Sequence, residues 1–174
     1  LSGKHNPDRY ERAWAFCDLL IIGAGPTGLM AALTAGRAGA QVIVADEDQR
    51  MGGRLLAERE TLGHQRAIDW VDDVLSELRA MDNVRLMTRT TVTGAYDHGT
   101  FGALERVGHH HGERAKGAPI ETFWRIVAKR SILASGALER PVAFRNNDRP
   151  GIMTASGVRA YVNRWAVSPG KAVT

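Results

Sequence analysis

Cys17-Asp18-Leu19-Leu20-Ile21-Ile22-Gly23-Ala24-Gly25-Pro26-Thr27-Gly28 is the stretch on which the reading of this chain turns. Residues 19–22 form a short apolar run without alternation, the pattern of a strand buried on both faces in a parallel sheet. Gly23 permits the tight turn out of that strand, Gly25 lets the backbone come close to a pyrophosphate, and Gly28 lets the following helix pack against the strand. The first-turn N–H groups of that helix have no carbonyl partners, and the aligned peptide dipoles add partial positive charge where phosphates would sit. Pro26 and Thr27 occupy this first turn, where the N–H that proline lacks has no helical partner anyway.

A glycine pattern of this kind is weak evidence alone, so its surroundings decide. Leu29, Met30 and Leu33, with alanines between them, give the helix an apolar face, and Gly36 and Gly39 offer its end. Residues 41–45 read as a second buried strand that delivers Asp46, 23 positions after Gly23. A carboxylate there accepts a ribose 2′-hydroxyl and repels a 2′-phosphate. Glu47 follows at the same strand end and counts with Asp46 among the expected cofactor-binding residues. The alternative is a βαβ unit with a chance acid. The motif does not separate NAD from FAD, because both present the same ADP half to these residues.

The loop beyond carries Met51-Gly52-Gly53-Arg54-Leu55. Paired glycines allow it to fold back over a cofactor without side-chain bulk, which places Gly53, Arg54 and Leu55 at the site, with Arg54 reaching a phosphate. The competing reading is a plain turn with a solvated arginine.

Composition sets the frame around these motifs. At 174 residues, 44% hydrophobic and 24% charged, the chain suits one ordinary globular domain. The net charge of +4 comes from basic residues scattered among acids, which describes a solvated surface better than a nucleic-acid face. No apolar run approaches the length of a membrane span, and the polar N-terminus does not resemble a signal peptide. The single cysteine, Cys17, forms no internal disulfide and reads as a small core residue, which favours a reducing, cytoplasmic setting. Residues 1–16 read as a linker, residues 17–140 as the dinucleotide-binding domain, and residues 141–174 as the start of a following unit. The chain opens on Leu1 and closes on what resembles the beginning of a strand at 171–174, so a piece of a longer polypeptide is expected.

Residues 67–81 carry Ile68, Val71, Val74, Leu75, Leu78 and Met81 at helical spacing, an amphipathic helix that packs on the sheet. Residues 84–87 read as a third strand that 88–93 continue. Residues 92–107 contain a hairpin turn at Asp97-His98-Gly99. Residues 123–127 read as one more meander strand, and 131–133 as a separate buried strand running into Ala134-Ser135-Gly136, small residues past which a cofactor could lie. Residues 146–151 form a turn cluster, and Val158, Tyr161, Val162 and Trp165 a helical stripe. His109-His110-His111 are not read as a metal site, because consecutive side chains on extended chain point to opposite sides. The expected fold is α/β: a Rossmann-like dinucleotide-binding domain with a parallel sheet and an inserted β-meander, incomplete as a fragment.

Gly23 to Gly28, Asp46, Gly52 to Leu56 and Ala134-Ser135-Gly136 together resemble the two-dinucleotide-binding flavoprotein superfamily. Within it, Thr90-Thr91-Val92, Tyr96-Asp97-His98, Gly102-Ala103-Leu104-Glu105-Arg106, Gly136-Ala137-Leu138-Glu139-Arg140-Pro141 and Asn146-Asn147-Asp148-Arg149-Pro150-Gly151 resemble the alpha subunits of heterotetrameric sarcosine oxidases. Ser135 stands where the superfamily usually has threonine, and it keeps the hydroxyl and the small volume. The resemblance implies a bound NAD, an adenine near Thr91 and Val92, and a cofactor passing close to Ala134, Ser135 and Gly136. It also implies partners: beta, gamma and delta subunits, with FMN or FAD held mainly by the beta subunit. The implied reaction is oxidative demethylation of sarcosine to glycine, with O2 reduced to hydrogen peroxide and the one-carbon unit released as formaldehyde or passed to tetrahydrofolate bound elsewhere. No residue of this chain is read as a catalytic acid, base or nucleophile. Two alternatives stay open: an FAD-binding subunit of a related opine oxidase or hydrogen cyanide synthase, and a non-catalytic docking module.

Overall fold

The computed structural model describes residues 8–108 and 118–172. Strand β1 (Tyr10–Ile22) runs into helix α1 (Pro26–Arg37), which crosses to β2 (Val42–Ala45). A 3-10 turn (Gly53–Ala57) and a two-residue hairpin, β3 (Thr61–Leu62) and β4 (Gln65–Arg66), lead to helix α2 (Ala67–Arg79) and β5 (Val84–Met87). The meander β6 (Thr90–Tyr96), β7 (Thr100–Arg106) and β8 (Glu121–Leu133) follows, and helix α3 (Ala155–Asn163) comes after an irregular segment. Six strands form one sheet in the order β5-β2-β1-β8-β7-β6. The β5, β2, β1 and β8 neighbours pair in parallel, and β8-β7-β6 pair antiparallel. This is the Rossmann-like α/β fold with an inserted meander that the sequence predicts.

Three boundaries differ from expectation. The linker expected over residues 1–16 gives way to strand at Tyr10, because β1 pairs with β8 over its whole length, from Tyr10 opposite Glu121 to Ile22 opposite Leu133. Ala15 and Cys17 are buried while Tyr10, Trp14 and Phe16 are exposed, the alternation of a strand covered on one face. The second difference is that residues 88–93 do not prolong β5. Arg89 lies in the left-handed region at φ 54° and turns the chain, so that Thr90 starts a strand on the far edge of the sheet. Third, the two strands expected at 123–127 and 131–133 are one, since Lys129 and Arg130 between them are exposed and do not interrupt the ladder. The turns at 97–99 and 145–151 fall where read, with His98 at φ 58°. Lys171 and Ala172 are not in a strand, and residues 173–174 lie outside the described range.

The core has two parts, one on each side of β1. Leu20 and Ile21 are adjacent, wholly buried and point oppositely. Ile21 joins Leu29, Leu33, Val44, Val71, Leu75 and Leu78 beneath α1 and α2. Leu20 joins Cys17, Ile43, Phe101, Ala103 and Ile126, where the meander covers the other face. The two helices are further linked at the surface by Arg37 and Glu77, whose paired contacts are 2.7 and 2.8 Å long. Among the described residues no helix is long and apolar enough to cross a membrane.

Cys17 sits in the second cluster, and burial together with the neighbouring Asp18 charge pushes its thiol up to about 11. An unfolded thiol titrates near pH 8.5, so the folded state keeps a proton that the unfolded state loses, and stability falls as pH rises from there towards 11. Urea midpoints followed between pH 8 and 11 should decline less steeply in Cys17→Ala than in the parent. Equal slopes would show that the thiol is not held in its neutral form by the fold.

Candidate functional site

The backbone at the end of β1 makes a crowded junction. Gly23 donates its N–H to the Ala45 carbonyl at 2.8 Å, and the Ala134 N–H donates to the Ile22 carbonyl at 2.7 Å. Gly23 has φ 99°, and a β-carbon there would lie 2.5 Å from the Ala134 oxygen. The Ala134-Ser135-Gly136 turn is thus brought directly against the glycine turn, with Ser135 and Gly136 exposed. On α1, a β-carbon at Gly28 would come 1.9 Å from the Gly23 carbonyl oxygen. Helix and turn meet at a distance that no side chain permits.

Gly25 differs from both. Its φ of −72° is open to any residue, and a β-carbon added there would meet no protein atom nearer than the Gly53 Cα at 4.0 Å. Nothing in the protein's own packing requires glycine at this position, so the space it keeps clear suits something outside the chain. The adjoining end of α1 matches an anion: Gly25 supplies no capping side chain, and the first turn holds no acid. The loop after β2 folds back here, with the Gly52 N–H on the Ala24 carbonyl at 2.8 Å, and a β-carbon on Gly53 would reach within 2.8 Å of the Gly25 Cα.

Asp46 stands at the C-terminal end of β2, half-buried, beside this turn. Its Oδ2 accepts the Ala24 N–H at 2.6 Å and its Oδ1 accepts the Asp48 N–H at 2.8 Å. A carboxylate has about four lone-pair sites, so capacity remains for a hydroxyl donor. Glu47 is exposed next to it. The start of β6 passes close by, since the Thr90 N–H donates to the Asp46 carbonyl at 2.8 Å, and this brings Thr91 and Val92, both half-buried, to the same end of the sheet.

Two residues behave differently from their sequence reading. Arg54, expected to reach a phosphate, places its guanidinium on Glu58 Oε1 at 2.5 Å, which holds it along its own turn. Leu55 is 5% exposed and belongs to the core, and its N–H is taken by the Gly52 carbonyl at 3.2 Å, so it supports the loop from below. Asp48 and Arg164 were not singled out from the sequence. Arg164 donates to Asp48 Oδ2 and Oδ1 at 2.7 and 2.8 Å, which holds the Asp48 carboxyl below its usual range. The spacing from Asp46 to Asp48 is a local signal for a side-chain turn, whereas nothing local joins Asp48 to a residue 116 positions away.

A concavity of about 560 Å³ lies elsewhere, on the outward face of β1 and β8 between Arg12, Trp14, Phe123 and Arg125. Its wall is a stack of Arg125 on the Trp14 ring at 4.4 Å with Arg12 beside it, and it lacks the backbone donors and the carboxylate that converge at the glycine turn, which is the better candidate site. Among the described residues no group of three or more His, Cys, Asp and Glu side chains could hold a metal ion. His109, His110 and His111 lie outside the described residues.

Comparison with known proteins agrees with this geometry. Residues 17–164 match the family described as pyridine nucleotide-disulphide oxidoreductase. The chain is 55% identical over 166 residues to the sarcosine oxidase alpha subunit of Rhizobium meliloti (strain 1021), covering 95% of this chain and 17% of that protein. It is 31% identical over 163 residues to an opine oxidase subunit of Agrobacterium tumefaciens (strain Ach5), covering 88% of this chain and 30% of that one. Among solved structures, L-proline dehydrogenase from P. horikoshii superposes with a TM-score of 0.73 at 25% identity, over 94% of this chain and 31% of the other. The chain therefore spans less than a third of the length of each relative. The resemblance to sarcosine oxidase alpha subunits, read from residues 90–92, 96–98, 102–106, 136–141 and 146–151, is borne out by the first of these matches.

The contrast between the glycines can be tested directly. Gly28→Ala should cost about 3 kcal/mol or more in urea unfolding, because helix and turn must separate. Gly25→Ala should stay within about 1 kcal/mol of the parent yet lose dinucleotide affinity about tenfold or more in calorimetric titration. Unimpaired binding by Gly25→Ala would move the phosphate site elsewhere.

Proposed function

Because the chain belongs to the pyridine nucleotide-disulphide oxidoreductase family, we propose that it is the NAD-holding portion of a sarcosine oxidase alpha subunit. The observation that carries this is the space kept clear at Gly25, at an uncapped helix end and beside a carboxylate with free acceptor capacity. The 55% identity to the alpha subunit of a sarcosine oxidase supports the substrate.

In this reading the backbone from Gly23 to Gly28, with Pro26 and Thr27, holds the pyrophosphate, and Gly53 leaves room above it. Asp46, with Glu47 at the rim, accepts the adenosine ribose hydroxyls and excludes a 2′-phosphate. Backbone groups at Thr91 and Val92 meet the adenine edge, and Ala134, Ser135 and Gly136 line the side next to β8. Arg54, paired with Glu58, is assigned no phosphate contact. NAD, when bound, supplies a two-electron acceptor, while the protein supplies position and electrostatics. No acid, base or nucleophile for sarcosine is assigned to this chain. Demethylation to glycine, with hydrogen peroxide and formaldehyde or a folate-carried one-carbon unit as products, belongs to a larger cytoplasmic assembly with beta, gamma and delta subunits and their FMN or FAD.

A second reading has its own support. The 31% identity to an opine oxidase component favours a related amine-oxidising subunit whose dinucleotide is FAD. The nucleotide released from the purified protein on denaturation, identified by chromatography and absorbance, separates the two. NAD supports the first reading and FAD the second, and a protein that neither retains nor binds any dinucleotide is a docking module instead. Asp46→Ala should weaken NAD binding about tenfold and narrow the preference over NADP. Unchanged discrimination between the two nucleotides in that variant would count against Asp46 as the ribose acid.

A further inference from the structure

Helix α3 is attached in an unusual way. None of its residues is buried, and Tyr161 and Val162 within it and Trp165 just beyond its end are 46%, 43% and 52% exposed. Its start is held by Glu139, whose Oε2 accepts the Ser156 N–H at 2.7 Å and the Ser156 hydroxyl, and its C-terminal half is tied by polar contacts to the segment between Asp48 and Glu58. Asn163 Nδ2 donates to the Ala57 carbonyl at 2.8 Å, Arg159 lies 3.7 Å from Glu58, and Arg164 makes its two bonds to Asp48.

The Arg164 pair stands out among these. Fork-to-fork contact between a guanidinium and a carboxylate is one of the stronger and more directional pairings in proteins. Here it is also sheltered, with side chains 20% and 32% exposed, whereas Arg50–Asp72 and Arg66–Asp69 nearby are mostly solvated. The Trp165 ring lies 4.6 Å from the Arg164 guanidinium carbon and restricts it from the other side. Asp48 in turn places its backbone N–H on Asp46 Oδ1, and the Arg89 N–H holds the Asp48 carbonyl at 2.9 Å. Asp46, Glu47 and Asp48 are consecutive acids at this strand end, and Arg164 sets a cation against the last of them.

We propose that Arg164 is a positioning residue for the nucleotide ribose: it fixes Asp48, and through the Asp48 N–H it aims the carboxylate of Asp46. This rests on reading Asp46 as the ribose acid, and it adds that the segment following β8 completes the ribose end of the site. Loss of Arg164 should leave the phosphate cradle intact while the 2′-hydroxyl loses its acceptor.

ADP and 2′-deoxy-ADP share everything but that hydroxyl, and ADP is the half common to NAD and FAD. Each is titrated calorimetrically into the full chain and into Arg164→Gln, Asp48→Asn and Arg164→Lys, with thermal melts to confirm folding. The parent should prefer ADP about tenfold, as expected for a hydrogen bond to a charged acceptor. Arg164→Gln and Asp48→Asn should each reduce that preference to about twofold while affinity for 2′-deoxy-ADP changes little, and Arg164→Lys should restore part of it. A full preference retained in both neutral variants, or equal weakening of both ligands, would reduce Arg164 to a structural tie. A parent that binds both ligands alike overturns the ribose role of Asp46, and this proposal with it.

Discussion

The carbonyl of Gly23 leaves no room for a β-carbon on Gly28, and the rest of the structure is arranged by that approach. It sets how closely α1 lies over the end of β1, and so where the helix aims its unpaired N–H groups. The same turn is hemmed in from the other side by the Ala134 carbonyl, which the β1–β8 ladder delivers. From β2, the Ala45 carbonyl and the Asp46 carboxylate accept the Gly23 and Ala24 N–H groups. Strands from distant parts of the chain therefore converge on a few backbone atoms. The opening at Gly25 is what remains when each has taken its place.

How much of this was legible depends on whether the governing interaction is local. The glycine spacing, the acid after β2, the amphipathic helix at 67–79 and the turn at Asp97-His98-Gly99 all express constraints within a few residues of themselves. They could be read directly. The extension of β1 back to Tyr10 was missed because its outward face is aromatic and charged, which resembles loop composition until the alternating Ala13, Ala15 and Cys17 are set beside it. The unity of β8 was missed for a similar reason, since Lys129 and Arg130 face solvent. The separation of β5 from β6 depends on one left-handed backbone angle at Arg89, an arginine rather than a glycine or asparagine. Propensity gives no warning there.

The site divides along the same line. Gly23, Gly25, Gly28 and Asp46 announce themselves because backbone approach and strand-end placement demand particular residue types at particular spacings. Arg54 and Leu55 were readable as neighbours of the site, but their orientation is decided by Glu58 and by the core. Arg164 was not readable at all. Its partner is remote in sequence, and an arginine after an amphipathic helix has many ordinary explanations. Such supporting contacts are found only once the fold has brought their ends together.

The pairing of β1 with β8 also bears on how the chain reaches this state. Each registered pair joins residues 111 positions apart, and among the described residues β8 is the only strand β1 meets along residues 10–17. During synthesis β1, α1, β2, α2 and β5 emerge well before that partner exists, leaving the first strand with an open edge and half of its core face uncovered. Long-range parallel pairing is slow to nucleate, because loop closure must precede any gain from contact. Until β8 leaves the ribosome, the nascent chain presents an edge onto which another copy, or a chaperone, can add. The strand that leads into the glycine turn, rigid in the finished fold, is thus an open edge until its partner is made.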